Sequence, residues 1–324
     1  MIFREIGTSG IKVSAICAGC MSFGKASADF HLWTLDEKRT SDLVGKALDC
    51  GINFFDTANV YSHGSSEEYL GKALKNSVPR DQVVIATKVF FNEGHLSQKA
   101  IRREIEGSLR RLGTDYVDLY IIHRYDHETP PLETLETLHE LVKEGKVRAL
   151  GASAMYGFEF MNLQNLAKTH GLTPFVSMQN HYNLIYREDE RELIPVCKQF
   201  GVTLTPYSPL AGGHLSRPEW NSDSLRSHTD MTSRQKYDHA KASDLPIIER
   251  VQEIAREHDL PMATVALAWL LAKPWVSSPI VGATSASHLE DACKATELRL
   301  TDEEKNFLEE LYTAHEVVGA LPAV

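Results

Sequence analysis

Three things are scarce in this 324-residue chain, and each scarcity removes a class of protein. Long apolar runs are missing: the longest, around Val265 to Ala272, falls far short of the roughly 20 residues needed to cross a bilayer, so no membrane span is expected. Cysteine is sparse. Cys17, Cys20, Cys50, Cys197 and Cys293 form an odd, scattered set that suits reduced thiols rather than a disulfide framework. Cys17 and Cys20 have redox-pair spacing, but no second pair completes a metal site, and they read as small residues closing a first strand. Positive charge is also short. A net charge of -10 and a pI near 5.8 argue against general affinity for nucleic acid or anionic membrane, while leaving room for a local basic pocket. The opening MIFREIGTSG has no apolar core behind a basic start, so no secretory leader and a cytoplasmic address are expected.

What is present is a rhythm of apolar runs and amphipathic stretches. Residues 1–13 read as a β-hairpin around Gly7-Thr8-Ser9-Gly10, able to plug a barrel floor. Strands follow at Ser14–Gly19, Ile52–Asp56, Val83–Lys88, Val117–His123, Lys146–Ser153, Phe175–Asn180, Val202–Pro206 and Ser278–Gly282. Between them lie helices at Asp36–Cys50, Ser65–Asn76, Ser97–Leu112, Pro131–Glu144, Phe158–His170 and Asp189–Phe200, several closed by a glycine. Ser65 with Glu68 has the spacing of a capping box. Residues 25–35, with Phe30, His31 and Trp33, and a polar stretch from Leu210 to Leu245 read as loops. Helices at Pro246–His258, Met262–Lys273, Ser287–Ala295 and Thr301–Thr313 complete the pattern. Eight strands alternating with helices predict an α/β fold: a (β/α)8 TIM barrel with an N-terminal β-hairpin and extra C-terminal helices, one domain over 1–324.

Three consecutive strands end in side chains that carry chemistry. Asp56 ends the second and Tyr61 follows it by five residues, Lys88 ends the third, and His123 ends the fourth. Barrel enzymes build their sites at such strand ends. An ammonium beside a phenol favours phenolate and makes the phenol a better acid; a carboxylate keeps the ammonium charged. A histidine can fix the substrate oxygen, and the set suits protonation of an oxygen on which charge develops, as in carbonyl reduction. Each residue alone has a plainer reading: Asp56 and Lys88 as a structural ion pair, Tyr61 as a packed ring, and His123 with Asp126 and His127 as a polar loop or metal cluster.

The segments Gly51-Ile52-Asn53-Phe54-Phe55-Asp56-Thr57-Ala58, Val84-Ile85-Ala86-Thr87-Lys88 and Leu112-Gly113-Thr114-Asp115-Tyr116-Val117-Asp118-Leu119-Tyr120-Ile121-Ile122-His123 resemble the aldo-keto reductases. The likeness covers essentially the whole chain. Cys20-Met21 and Val176-Ser177-Met178-Gln179 place it closest to the bacterial branch with long middle loops. The resemblance implies an NADPH-dependent oxidoreductase in which Tyr61 is the general acid, Lys88 and Asp56 tune it, and His123 orients the carbonyl.

That family binds its nicotinamide cofactor without a Rossmann domain, and no Gly-x-Gly-x-x-Gly follows a first strand here. The resemblance implies that Ser153 and Gln179 hold the carboxamide and Tyr207 stacks under the nicotinamide. Gly19, Cys20, Met21 and Asp56 would line the cofactor's inner end. Ser208, Pro209, Leu210 and Gly212 would wrap the pyrophosphate, Gly282, Thr284, Ser285, His288 and Asp291 would hold the adenosine end, and Arg217 with His288 would compensate for a basic residue at the 2′-phosphate. Three positions depart from the family pattern: Ala154 replaces an asparagine, Ser285 a basic residue beside the 2′-phosphate, and Ala292 a polar adenine contact. NADPH is expected, with NADH as an alternative. Met21, Trp33, Tyr61, Phe90, His123 and Tyr125 are expected to face a small-molecule carbonyl substrate, with Phe23, Phe91, Tyr156 and Trp220 nearby. No metal is expected. The rival readings are a nicotinamide-binding, redox-sensing regulatory subunit with slow turnover and a metal-dependent barrel hydrolase. Sequence does not select the oligomeric state.

Overall fold

The hairpin comes first: β1 (Phe3–Glu5) and β2 (Lys12–Ser14) pair antiparallel. The computed structural model describes residues 1–27, 30–223 and 225–318. Ile6, Ile11 and Val13 of the hairpin join an apolar cluster with Cys17, Phe54, Val84, Ala86, Leu119 and Ile121, all from strands of the main sheet. Arg4 ties it down by donating to the carbonyls of Val276 at 2.6 Å and Leu271 at 2.7 Å. The hairpin therefore seals one end of the sheet's interior.

The main sheet has eight parallel strands in chain order: β3 (Cys17–Gly19), β4 (Phe54–Asp56), β5 (Val84–Val89), β6 (Val117–Ile122), β7 (Val147–Ser153), β8 (Phe175–Gln179), β9 (Thr203–Leu204) and β10 (Ile280–Gly282). β10 pairs back onto β3. Between β9 and β10, Leu204 bridges Val276 and the Ile280 amide donates to the Pro206 carbonyl at 2.9 Å, which closes the barrel. β5 and β6 are buried along their whole length, and the polar side chains they carry are paired: Thr87 with Glu67, Lys88 with Asp56, and Asp118 with Arg80 and Arg148. Register levels the strand exits: Gly282 lies beside Gly19, Gly19 beside Asp56, and Ser153 beside Gln179.

Amphipathic helices pack outside, their apolar faces meeting the outer faces of the strands in one continuous core that includes Leu70, Ile101, Leu138, Phe160 and Trp269. Among them are α1 (Glu37–Asp49), α2 (Ser65–Lys75), α3 (Gln98–Leu112), α4 (Pro131–Lys143) and α5 (Gly157–Thr169). Gly71 of α2 lies against the end of α3, where an added Cβ would meet the Leu112 carbonyl oxygen at 2.3 Å. Gly71→Ala is expected to cost about 1–3 kcal/mol through overpacking against backbone. A urea midpoint lowered at unchanged slope checks this.

Three local expectations differ from the structure. The Ser65–Glu68 capping box does not form, because Ser62, His63 and Gly64 all adopt left-handed backbone and Ser65 is already helical. Its hydroxyl instead donates to the Ser62 carbonyl at 2.6 Å and accepts from the Lys25 amide at 2.9 Å. The helix expected from Asp189 is a short 3-10 turn followed by α6 (Leu193–Gln199), since Pro195 lacks the amide needed to extend it upstream. Finally, residues 210–245 are not one loop. They hold a 3-10 turn at Ala211–Ser216, α7 (Leu225–Thr229), α8 (Met231–Tyr237) capped by Asp230, and the start of α9 (Lys241–Glu257). Pro246 is accommodated inside α9, near its amino end. α10 (Met262–Leu271), α11 (Ala286–Lys294) and α12 (Asp302–Glu309) follow.

Candidate active site

Lys88 organises the barrel mouth. Its side chain is fully buried, and its ammonium donates to Asp56 Oδ1 at 2.5 Å, the Thr57 carbonyl at 2.7 Å and the Tyr61 hydroxyl at 3.1 Å. The other oxygen of Asp56 accepts from Gln179 Nε2 at 2.8 Å, which ties the exit of β8 to that of β4. The Tyr61 ring stands edge-on to His123, 5.9 Å between centroids. The four residues expected at the strand ends therefore sit together.

The loop that presents Tyr61 is held from several sides. The Thr57 amide donates to the Ala86 carbonyl at 2.9 Å and the Asn59 amide to the Lys88 carbonyl at 3.3 Å. Asn59 Nδ2 donates to Glu104 at 2.9 Å, and Ser62 Oγ to the Phe23 carbonyl at 3.1 Å. Ser62 and His63 keep left-handed backbone (φ 46° and 55°), a cost that non-glycine residues bear when their surroundings fix them. The loop is thus built to aim one hydroxyl.

Burial sets the electrostatics. It works against a charge on Lys88, yet facing Asp56 and Tyr61 raises that ammonium's pKa above the ordinary value. Burial pushes the Tyr61 phenol up from 10.0, opposed by Lys88. The expected net gain in acidity is therefore absent: the cation is in place, but desolvation outweighs it. Burial, with Lys88 and Arg124, drives His123 well below 6.5, so its ring is a neutral imidazole; its buried Nδ1 has no hydrogen-bond partner among the described residues. A phenol held protonated and an imidazole held neutral across the neutral range set the limits of a pH profile. For reduction of an uncharged carbonyl compound, kcat/KM is expected to stay level from about pH 7 to about pH 9 and to fall only above the usual phenol value. A limb centred near neutrality would assign the chemistry to another group.

Ser153 and Gln179 face each other in register on β7 and β8. Gln179 gives its amide nitrogen to Asp56, which turns its amide oxygen away from that carboxylate. Tyr207 follows β9, its amide bonded to the Asn180 carbonyl at 2.9 Å. Ser208, Pro209 and Leu210 lead into the 3-10 turn, where Gly212 (φ 66°) nests against Ser233 of α8, 2.2 Å from where its Cβ would stand. Arg217 donates to the Trp220 carbonyl at 3.5 Å. Gly282, Thr284 and Ser285 lead into α11, beside Gly19, Cys20 and Met21. His288 Nδ1 accepts from the Thr284 amide at 3.4 Å, while Asp291 pairs with Lys294 at 2.9 Å. Cys17 and Cys20 are buried and their thiols pushed well up, so neither is an exposed redox sulfur.

On the substrate side, the expected aromatic residues are unevenly placed, and Phe30 joins them. Phe91, exposed at the rim, meets His123 at 5.0 Å, whereas Phe90 stacks on His95 at 4.7 Å. Phe30 approaches Tyr61 at 6.2 Å, whereas Trp33 is buried and stacked on His31 at 4.5 Å. Tyr125 lies against His127 at 4.9 Å. Asp126 accepts from the amides of Leu96 and Glu128, so its oxygens shape a loop. Two residues had no signal in the sequence. His181 stacks parallel to Tyr207 at 5.4 Å and bonds Tyr237 Oη at 2.7 Å; Lys236 holds its ammonium 4.6 Å over the Tyr207 ring.

Comparison with known proteins agrees with this geometry. The family model described as "Aldo/keto reductase family" matches residues 15–313. Versiconal hemiacetal acetate reductase of Aspergillus parasiticus is 42% identical over 337 residues, covering 96% of this chain and 97% of the relative. A putative aryl-alcohol dehydrogenase of Schizosaccharomyces pombe is 41% identical over 350 residues, covering 99% and 98%. Among solved structures, a thermostable aldo-keto reductase in complex with the inhibitor epalrestat superposes with a TM-score of 0.78 at 31% identity, over 96% of this chain and all of that one.

Proposed function

This chain belongs to the aldo/keto reductase family and is an NAD(P)H-dependent oxidoreductase acting on carbonyl groups, and we propose that it reduces aldehydes and ketones with NADPH, Tyr61 serving as the proton donor. The observation that carries the reading is the single hydrogen-bonded set of Lys88, Asp56 and Tyr61, with neutral His123 against the Tyr61 ring.

The residues present fit a nicotinamide nucleotide. An amide oxygen and a serine hydroxyl stand side by side at Gln179 and Ser153, an aromatic ring follows at Tyr207, and left-handed glycines let backbone approach closely at 212 and 213. The amides before α11 suit a phosphate. Bound there, the reduced cofactor supplies a hydride. His123 positions the carbonyl oxygen; Tyr61 gives that oxygen its proton as negative charge develops; the Lys88 ammonium stabilises the phenolate left behind; Asp56 and Gln179 keep Lys88 in place. The chain acts as one barrel unit, from cytoplasm-type reduced thiols to a small-molecule carbonyl, with no call on nucleic acid or membrane.

NADPH is the preferred cofactor in this reading, and NADH an accepted second. Ser285 and His288 stand exposed at the amino end of α11, with Arg217 on the far loop, able to meet a 2′-phosphate in place of the family's basic residue. Oxidation of reduced nicotinamide is followed with a panel of aldehydes, diketones and sugar aldehydes. Turnover with kcat/KM favouring NADPH is expected. A strong preference for NADH would overturn the cofactor assignment, and tight cofactor retention with barely measurable turnover would favour the regulatory reading.

A further inference from the structure

One cation at the barrel mouth is used by none of these roles. Lys236, next to last in α8, rests its ammonium 4.6 Å over the Tyr207 ring, and no acidic side chain forms an ion pair with it among the described residues. Asp230, the acid that acts on it, caps α8 by accepting from the Ser233 amide at 3.0 Å. Arg124, the residue after His123, is close enough to bear on Lys236, Tyr207 and His123, and its guanidinium lies 5.7 Å over the Phe91 ring. Phe91 in turn touches His123.

Two like charges thus lie over neighbouring rings, the ammonium over Tyr207 and the guanidinium over Phe91 beside His123, and each bears on the other. Burial first, and Arg124 second, pull Lys236 down to about 8, with Asp230 opposing them only in part. A chain of net charge -10 has carboxylates to spare, yet among the described residues none forms an ion pair with this ammonium, and Asp230 bears on it from α8. Cations held together in a half-dry cleft repel one another, and an arriving anion relieves the repulsion and takes charge-assisted hydrogen bonds from the ammonium.

We propose that Lys236 and Arg124 hold a carboxylate or phosphate carried by the carbonyl substrate, so that the enzyme selects oxo acids and other anionic aldehydes or ketones over their neutral counterparts. This rests on the reading of Tyr61 and His123 above, which sets the carbonyl on the His123 side of the cleft. A nicotinamide taking the same face of Tyr207 displaces the ammonium, and the four-carbon stem lets it swing toward the substrate while α8 stays folded.

The test compares 4-carboxybenzaldehyde with its methyl ester, in wild type, Lys236→Met and Lys236→Arg. In wild type, kcat/KM is expected to favour the acid by about tenfold or more, the size of one charge-assisted hydrogen bond. The preference should collapse toward unity in Lys236→Met and survive in Lys236→Arg. NADPH affinity, titrated by fluorescence in the same variants, separates the two sources of anion. If Lys236→Met keeps the preference for the acid but weakens NADPH binding tenfold, the ammonium serves the cofactor's diphosphate and the proposal is overturned. Turnover of the ester with no preference for the acid in wild type also overturns it, while leaving carbonyl reduction intact. Failure to reduce either aldehyde removes the reading of Tyr61, and this inference with it.

Discussion

Tyr61→Phe is expected to lower kcat for aldehyde reduction by about 10²–10⁴-fold, the range that a positioned general acid supplies. The substitution removes one oxygen and nothing else. The ring keeps its packing on His123 and near Phe30, and Lys88 keeps Asp56 Oδ1 and the Thr57 carbonyl as acceptors. Fold and cofactor site should therefore survive, so the loss falls in kcat rather than in NADPH affinity. Steady-state rates, a fluorescence titration with NADPH and a melting curve check the three parts of this statement. A fall in kcat of less than about tenfold would mean that water or His123 delivers the proton. A parallel loss of melting temperature would mean instead that the hydroxyl is structural, holding Lys88 in register.

The strand exits were legible in the sequence for a simple reason. Parallel strands buried on both faces read as unbroken apolar runs, and the first polar side chain after such a run marks the mouth of the barrel. Asp56 and His123 stand at such a point and Lys88 one residue past it, after Thr87, and the left-handed glycines at 113, 145, 171 and 201 mark where outer helices stop. Two kinds of information were not legible. One is the fold of short pieces. α7 and α8 have too few turns to show a period, so residues 210–245 gave only their polarity, and the delivery of Lys236 onto Tyr207 depends on contacts made across the fold. Phe90 and Phe91 are a related case: adjacent residues in a turn carry no pattern that tells which ring meets His123. The other is desolvation. A lysine beside a tyrosine predicts a more acidic phenol, but the depth at which both are buried decides the sign, and depth is a property of the closed barrel.

Lys88→Met is expected to destabilise the protein by about 3–5 kcal/mol, the cost of removing one partner from a buried ion pair. Methionine fills much the same volume, so the loss is electrostatic. Asp56 Oδ1 is left without its donor in a dry site, and only Gln179 remains on the other oxygen. Burial already pushes the Asp56 carboxyl up, and without Lys88 nothing charged opposes it. A carboxyl whose folded pKa lies above its unfolded value is most favourable to folding when protonated. Its contribution is therefore present below the unfolded value of 3.8 and lost as pH rises through the folded one. The gap in stability between wild type and Lys88→Met should accordingly be small near pH 4 and widen toward neutrality. Asp56→Asn in the same chain removes the stranded charge, so the double variant should recover most of the stability while kcat stays low, because Tyr61 still lacks its cation. Denaturant titrations at about pH 5 and about pH 8, set beside steady-state rates, separate the two consequences. A gap that does not change with pH would mean that Lys88 stabilises by packing alone; recovery of kcat in the double variant would mean that the ammonium has no part in the chemistry.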